Sequence, residues 1–243
     1  MRIATMLLTL LLGTSAIAGE VFIPATYRGH GANGSDWRTE ITVTNISTST
    51  LQPVRTTITY YRENGEAVAI PMILARYEVV TVQDALANWF GVTEGGGLVR
   101  ITWDDANARI GANARIYNVG GNGGQYGQGV PGVYPERLES AVHLPGLTGI
   151  DGNRTNVGVS NPHGADALIW VELIEASGES RGAFATIVPA RSYRQLNDIF
   201  AHFQAGPLQG AMVRVSSSNS TIYGYASIVR NDSGDPTWVA PAQ

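Results

Sequence analysis

The chain has no cysteine and no lysine among its 243 residues. Without cysteine there is no disulfide, no thiolate ligand, no thiol nucleophile and no site for a lipidated cysteine, so apolar burial alone must hold the core. The basic residues are all arginine, 16 against 20 acids, for a formal net charge of −4. An acidic balance with no basic cluster argues against nucleic acid as a partner. The four histidines, at positions 30, 143, 163 and 202, are too scattered for a His-Glu-x-x-His run, so no metal is expected. No nucleophile elbow, a serine held on a sharp strand-to-helix turn, is expected. No stretch reaches the roughly 20 apolar residues of a membrane helix, so no transmembrane segment is expected.

What is present begins with a leader. Arg2 precedes an apolar run from Ile3 to Leu12, and Ser15, Ala16, Ile17 and Ala18 supply small residues where a signal peptidase reads. This pattern predicts a signal peptide over 1–18, a mature chain starting at Gly19, and a periplasmic or extracellular destination.

Beyond the leader the chain resembles itself. Phe22-Ile23-Pro24 matches His143-Leu144-Pro145, and Arg38-Thr39 matches Arg154-Thr155. Val43-Thr44-Asn45 matches Val159-Ser160-Asn161, and Leu98 to Ile101 matches Met212 to Val215. Asp84 to Trp89 aligns with Asp198 to Phe203, Ile116 to Asn118 with Val229 to Asn231, and Val130-Pro131 with Ala240-Pro241. The order is constant and the offset nearly so, which predicts a duplicated unit over 19–134 and 135–243. Pro135 and the charges Glu136, Arg137 and Glu139 mark a short connector.

Spacing predicts an all-β fold. Ile41 and Val43 alternate with polar residues over Thr39 to Asn45, as on a half-buried strand. Thr56 to Tyr61 leads through Asn64-Gly65 into Ala67 to Ile70, and Leu168 to Ile174 turns at Ser177-Gly178 into Ala183 to Val188, giving a hairpin in each unit. Further strands are expected over Leu98 to Trp103, Arg109 to Tyr117, Met212 to Val215 and Ile222 to Val229. Short strands so closely spaced indicate a β-sandwich or barrel in each of the two units, and the tandem β-sandwich is the fold expected. Each unit also carries one short helical pattern, Gln83 to Phe90 and Asn197 to Phe203, with aromatics at i, i+3 and i+4 and a glycine beyond. These aromatics are expected in the core, Phe203 among them.

Chemistry is sparse. Asp104-Asp105 reads as a turn, since neighbours on a strand end point apart. Asn231 to Asp235 is oxygen-rich, but it lacks the further ligands and terminal Glu of an EF-hand loop and reads as a plain hairpin turn that needs no Ca²⁺. Gly127 to Gly132 satisfies Gly-x-Gly-x-x-Gly in letter only, because Pro131 and Pro135 forbid the helix that must follow. The run 120–132 therefore reads as a flexible loop. Two aromatics in glycine-rich surroundings, Trp37 and Tyr126, are the candidate ligand-binding residues, suited to stack on a sugar ring or anchor a protein partner.

The run Ile41 to Asn45, a Ser/Thr-rich turn, a strand ending Tyr60-Tyr61 and an Asn-Gly hairpin together resemble the Ig-like repeats of bacterial surface and secreted proteins, including the cell-adhesion-related CARDB-type modules. That resemblance implies Ig-like sandwiches with an adhesive, spacer or scaffold role, and carries no site residues. The expectation is a non-enzymatic envelope protein without a cofactor, whose partner is an envelope or extracellular protein or polysaccharide. Its rivals are a carbohydrate-binding pair of modules and a hydrolase with its site between the two units.

Overall fold

The computed structural model describes residues 17–31, 34–63, 65–119 and 124–242. All but the last two residues of the predicted leader lie outside the described residues, as does Asn64 of the first predicted hairpin turn. The first half runs β1 (Gly19–His30), β2 (Asp36–Asn45), β3 (Val54–Arg62), β4 (Ala67–Leu74), β5 (Val79–Val82), α1 (Ala85–Phe90), β6 (Gly95–Trp103), β7 (Ile110–Val119) and β8 (Gln125–Pro131). A single 3-10 turn at Pro135–Arg137 leads into β9 (Ala141–Thr148), β10 (Asn153–Asn161), β11 (Ala167–Ile174), β12 (Ser180–Val188), β13 (Ser192–Leu196), α2 (Ile199–His202), β14 (Gln209–Ser217), β15 (Tyr223–Arg230) and β16 (Pro236–Val239).

The protein is all-β, and its sheets stack as sandwich-like layers. In the first half one layer has the order β4-β3-β6-β1 and the other β2-β7-β8 with β5 beside β2. In the second half the layers are β12-β11-β14-β9 and β13-β10-β15-β16, so the same strand order recurs. In the first half β1 joins both layers: it pairs with β6, bulges between Ile23 and Thr26, and pairs its last residues Gly29 and His30 with β2. Period-2 alternation builds each core, as where Ile41 and Val43 meet Ile58, Tyr60, Val99 and Ile101. In the second half Val157 and Val159 meet Ile169, Val171, Val213 and Val215.

The two helices cross from one layer to the other and close the gap with Leu86 and Phe90, or Ile199 and Phe200. Each is preceded by an aspartate in the left-handed region, Asp84 at φ 46° and Asp198 at φ 48°. Asp198 accepts from the Ala201 N–H as a cap should. Asp84 caps nothing and instead pairs with Arg28 at 3.0 Å.

Three expectations are corrected. The run 120–132 is not one loop: residues 125–131 form β8, in register with β7 from Asn113 to Val119. Glycine disfavours a strand locally, but the open edge of β7 offers a full ladder, and the missing side chain at Gly127 leaves room for Tyr117. The match of Ile116 with Val229 is one residue out. Thr39 faces Ile116 and Thr155 faces Ile228, so Ile116 corresponds to Ile228 and, by the same reasoning, Val130 to Val239. A one-residue slip turns a strand over, so only the register shows which side chains face the core. Lastly, α2 ends at His202, leaving Phe203 as its half-buried C-terminal cap.

A feature absent from single sandwiches governs the rest. Thr155 to Asn161 is buried residue after residue, on both faces of β10. One face meets the core of the second half; the other is covered by the first half. Tyr223 and Tyr225 of β15 belong to the first half's apolar core, and Tyr225 stacks on Trp238 with ring centroids 4.3 Å apart. The Ser160 hydroxyl donates to the Pro24 carbonyl at 2.5 Å, Ser227 Oγ to Gln128 Oε1 at 2.8 Å, and Asn118 Nδ2 to the Gly234 carbonyl at 2.8 Å. Gly96 of β6 makes room for the Tyr193 ring of β13, since a Cβ there would overlap its hydroxyl.

The buried tyrosines give a pH prediction. Burial pushes the Tyr60 phenol up to about 12 and raises Tyr193 and Tyr225 as well. The folded protein therefore keeps these protons after the unfolded chain, near pH 10, has lost them. The stabilisation is complete below pH 10 and declines as pH rises through the folded values. Tyr60 alone should cost about 1 kcal/mol between pH 9 and pH 11. Urea unfolding at the two pH values, on the protein and on Tyr60→Phe, measures this.

Candidate binding cleft between the two halves

The face of β13-β10-β15 that meets the first half is apolar and tight at one end and opens at the other. Its tight end is anchored by the Ser160–Pro24 bond and by Tyr193 against Gly96. Along β10 the outward positions then run Gly158, Asn156 and Arg154, while β15 contributes Tyr225, Ser227 and Val229, and Asn231 follows it. The opposing wall comes from the inward positions of the first sandwich at its open end: Ala25, Tyr27, Trp37, Ile116 and Gln128. Between the walls is a cleft of about 570 Å³, within the usual size of a small-ligand site.

Its polar groups are already oriented. Tyr225 Oη donates to Gln195 Oε1 at 3.2 Å, and Gln195 Nε2 donates to Asn197 Oδ1 at 2.9 Å. Asn156 Oδ1 accepts the Asp198 N–H at 3.1 Å, which ties the cleft floor to the start of α2. Burial raises the Tyr193 phenol well above its ordinary value, with nearby Tyr225 and a hydrogen bond to Glu63 adding to the effect. Among the described residues Glu63 is the single carboxylate on the lining, so they bring no acid pair of the kind glycoside hydrolysis uses into the cleft.

Of the two candidate residues, Trp37 lines this cleft and also packs against the first core. Tyr126 does not: it sits half-buried in β8 opposite Asn118, outside the lining. The structure therefore places the two apart. Sequence reading missed Tyr27, Gln128, Arg154, Asn156, Tyr193, Gln195 and Asn197. A signal for one of them existed in the repeat comparison. Where the first half has exposed Val79 and Asn113, the corresponding positions in the second are Tyr193 and Tyr225. Large aromatics on a face that should meet water imply something packed over it.

The other sequence candidates lie elsewhere. Asp105 Oδ1 accepts the Asn107 N–H at 2.8 Å in a surface turn. The Asn231 to Asp235 segment is the β15–β16 hairpin, closed by Arg230 N–H to the Asp235 carbonyl at 3.0 Å, with Asp232 paired to Arg230. Among the described residues no group of three His, Asp or Glu could hold a metal ion. His163 Nε2 lies 2.8 Å from the Thr221 hydroxyl on the exposed surface, remote from the cleft lining.

No family model matches the chain, and no curated protein matches it. Among solved structures, T=1 particles derived from infectious bursal virus show 9% identity over 90% of this chain and 68% of theirs, with a TM-score of 0.20. A Pleurotus ostreatus lectin in its apo form shows 11% identity over 94% of this chain and 82% of its own, with a TM-score of 0.17. Both are too distant to bear on fold or function. Fold and cleft on their own define an all-β protein of stacked sandwich layers with a preformed polar–aromatic cavity where its halves meet.

Proposed function

We propose that the chain is an exported, non-enzymatic binding protein of the cell envelope that takes a saccharide in the cleft between its halves. The observation that carries this is the lining itself: Trp37 and Tyr27 beside a set of amides, Gln128, Asn156, Gln195 and Asn197, supplied from both halves. An aromatic ring offers the apolar face of a sugar a stacking surface, and amides both donate to and accept from its hydroxyls. Among the described residues, the single carboxylate on the lining and the bond that ties the Ser227 hydroxyl to Gln128 favour holding a ligand over cleaving it. Export rests on the leader pattern, and origin by duplication is supported by the recurring strand order.

A second reading has its own observation. Leu168, Trp170 and Ile187 form an exposed apolar group on the outer face of β11 and β12, with Trp170 48% exposed. This favours a protein contact, consistent with an adhesive or scaffold role.

The saccharide reading predicts that Trp37→Ala weakens binding of envelope polysaccharide fragments by about tenfold or more, measured by calorimetry on the full mature chain. Unchanged affinity would remove Trp37 from the site. Turnover of polysaccharide, ester or peptide substrates, abolished by one Asp, Glu, Ser or His substitution that leaves the fold intact, would overturn the non-enzymatic reading.

A further inference from the structure

The cleft is electrically polarised. Glu63 sits at the Tyr193 end, hydrogen-bonded to that phenol. Arg154 is the single arginine on the lining and sits toward the other end. Tyr193 faces Ser160 in the β10–β13 register. Six residues of strand separate Ser160 from Arg154, about 20 Å at the usual rise.

Arg154 is placed unlike the other cleft-facing groups. Its Nη1 donates to Asn231 Oδ1 at 2.6 Å. Among the described residues no carboxylate is within ion-pair distance of it, whereas Arg28 on β1 is paired with Asp84. A guanidinium has five N–H donors in a planar fork, and the bond to Asn231 takes one of them. The surrounding walls desolvate the group enough to lower its pKa, with Asp198 acting in the opposite direction. A guanidinium that lines a cleft and has no carboxylate partner is placed to take an anionic group from a ligand.

Trp37 is at the same end. It pairs with Asn118 on β7, Asn118 donates to Gly234, and Gly234 belongs to the hairpin whose Asn231 holds Arg154. Ring and guanidinium therefore flank one mouth of the cleft.

We infer that the saccharide is acidic, its carboxylate taken by Arg154 while its ring lies against Trp37. This rests on the saccharide-binding reading and adds the class of ligand: a sugar acid in place of a neutral hexose. A carboxylate matches the fork with two parallel N–H···O bonds, and such charge-assisted contacts discriminate far more strongly than hydroxyl contacts.

The test is calorimetric binding of oligogalacturonate, oligomannuronate, hyaluronan oligomers and sialyllactose to the full mature chain, each beside its carboxyl-reduced counterpart. At least one acidic member should bind about tenfold or more tighter than its reduced form. Arg154→Gln should erase that preference, so that the acidic form binds the variant no tighter than its reduced counterpart does, with the thermal midpoint near that of the unaltered protein. A purely structural role for Arg154 would move the midpoint and leave the preference intact. Equal binding of acidic and reduced forms, or a preference that survives Arg154→Gln, overturns the carboxylate assignment and leaves the saccharide reading standing. Binding of no member of either series overturns both.

Discussion

Replacing Phe200 with alanine should destabilise the second half by about 3–5 kcal/mol, the cost of emptying a buried aromatic site. Phe200 is 3% exposed, lies in the second core with Ile199, and packs so closely on Gly149 that a Cβ there would meet its ring. The backbone cannot collapse into the vacated space without dragging α2, whose start is tied to Asn156 and capped by Asp198. Phe203, which the helical pattern alone marks as core, caps the helix half-buried beside Phe184 at 5.4 Å. Its alanine variant should lose clearly less. Chemical denaturation of both variants gives the comparison, and equal losses would mean the two rings are equally enclosed.

Gly158→Val should part the two halves. A side chain at Gly158 would run into the Tyr225 ring, which is 1% exposed and belongs to the first half's core while standing on a strand of the second. Tyr225 is held in place: Trp238 stacks on one face and its hydroxyl is bonded to Gln195. Overpacking of this kind typically costs about 1–3 kcal/mol and sometimes more. Here the loss falls on the contact between the halves. The expected result is a lower melting midpoint, two separable transitions, and faster proteolysis near residues 135–140. Gly158→Val with Tyr225→Leu should recover much of the loss by making room. A valine variant that melts as the original does would show that the halves hold together without this contact.

Much of the fold was legible in the chain. The alternation Ile41, Val43 and the hairpins around Gly65 and Gly178 carry their own structure, because side-chain period and turn residues are local properties. The short helices were visible too, as was the order of the matched segments. β8 was not, because Gly127 and Gly129 have no strand preference of their own and form one only beside β7. The registers of β7 against β2 and of β15 against β10 were likewise set by pairing partners and not by letter matches.

The cleft divides along the same line. Trp37 stood out as a large aromatic in a glycine-rich setting, a local signal. Arg154 and Asn156 carried none, since each is an ordinary strand residue until a second sheet lies over it. By itself the sequence determined the all-β class, the hairpins and the two short helices, because those depend on contacts a few residues apart. The tertiary structure alone decided that the outer face of β10 is buried and that Tyr225 serves the other half's core. It alone brought Trp37 and Arg154 to one cavity, because residues more than a hundred positions apart meet only through packing.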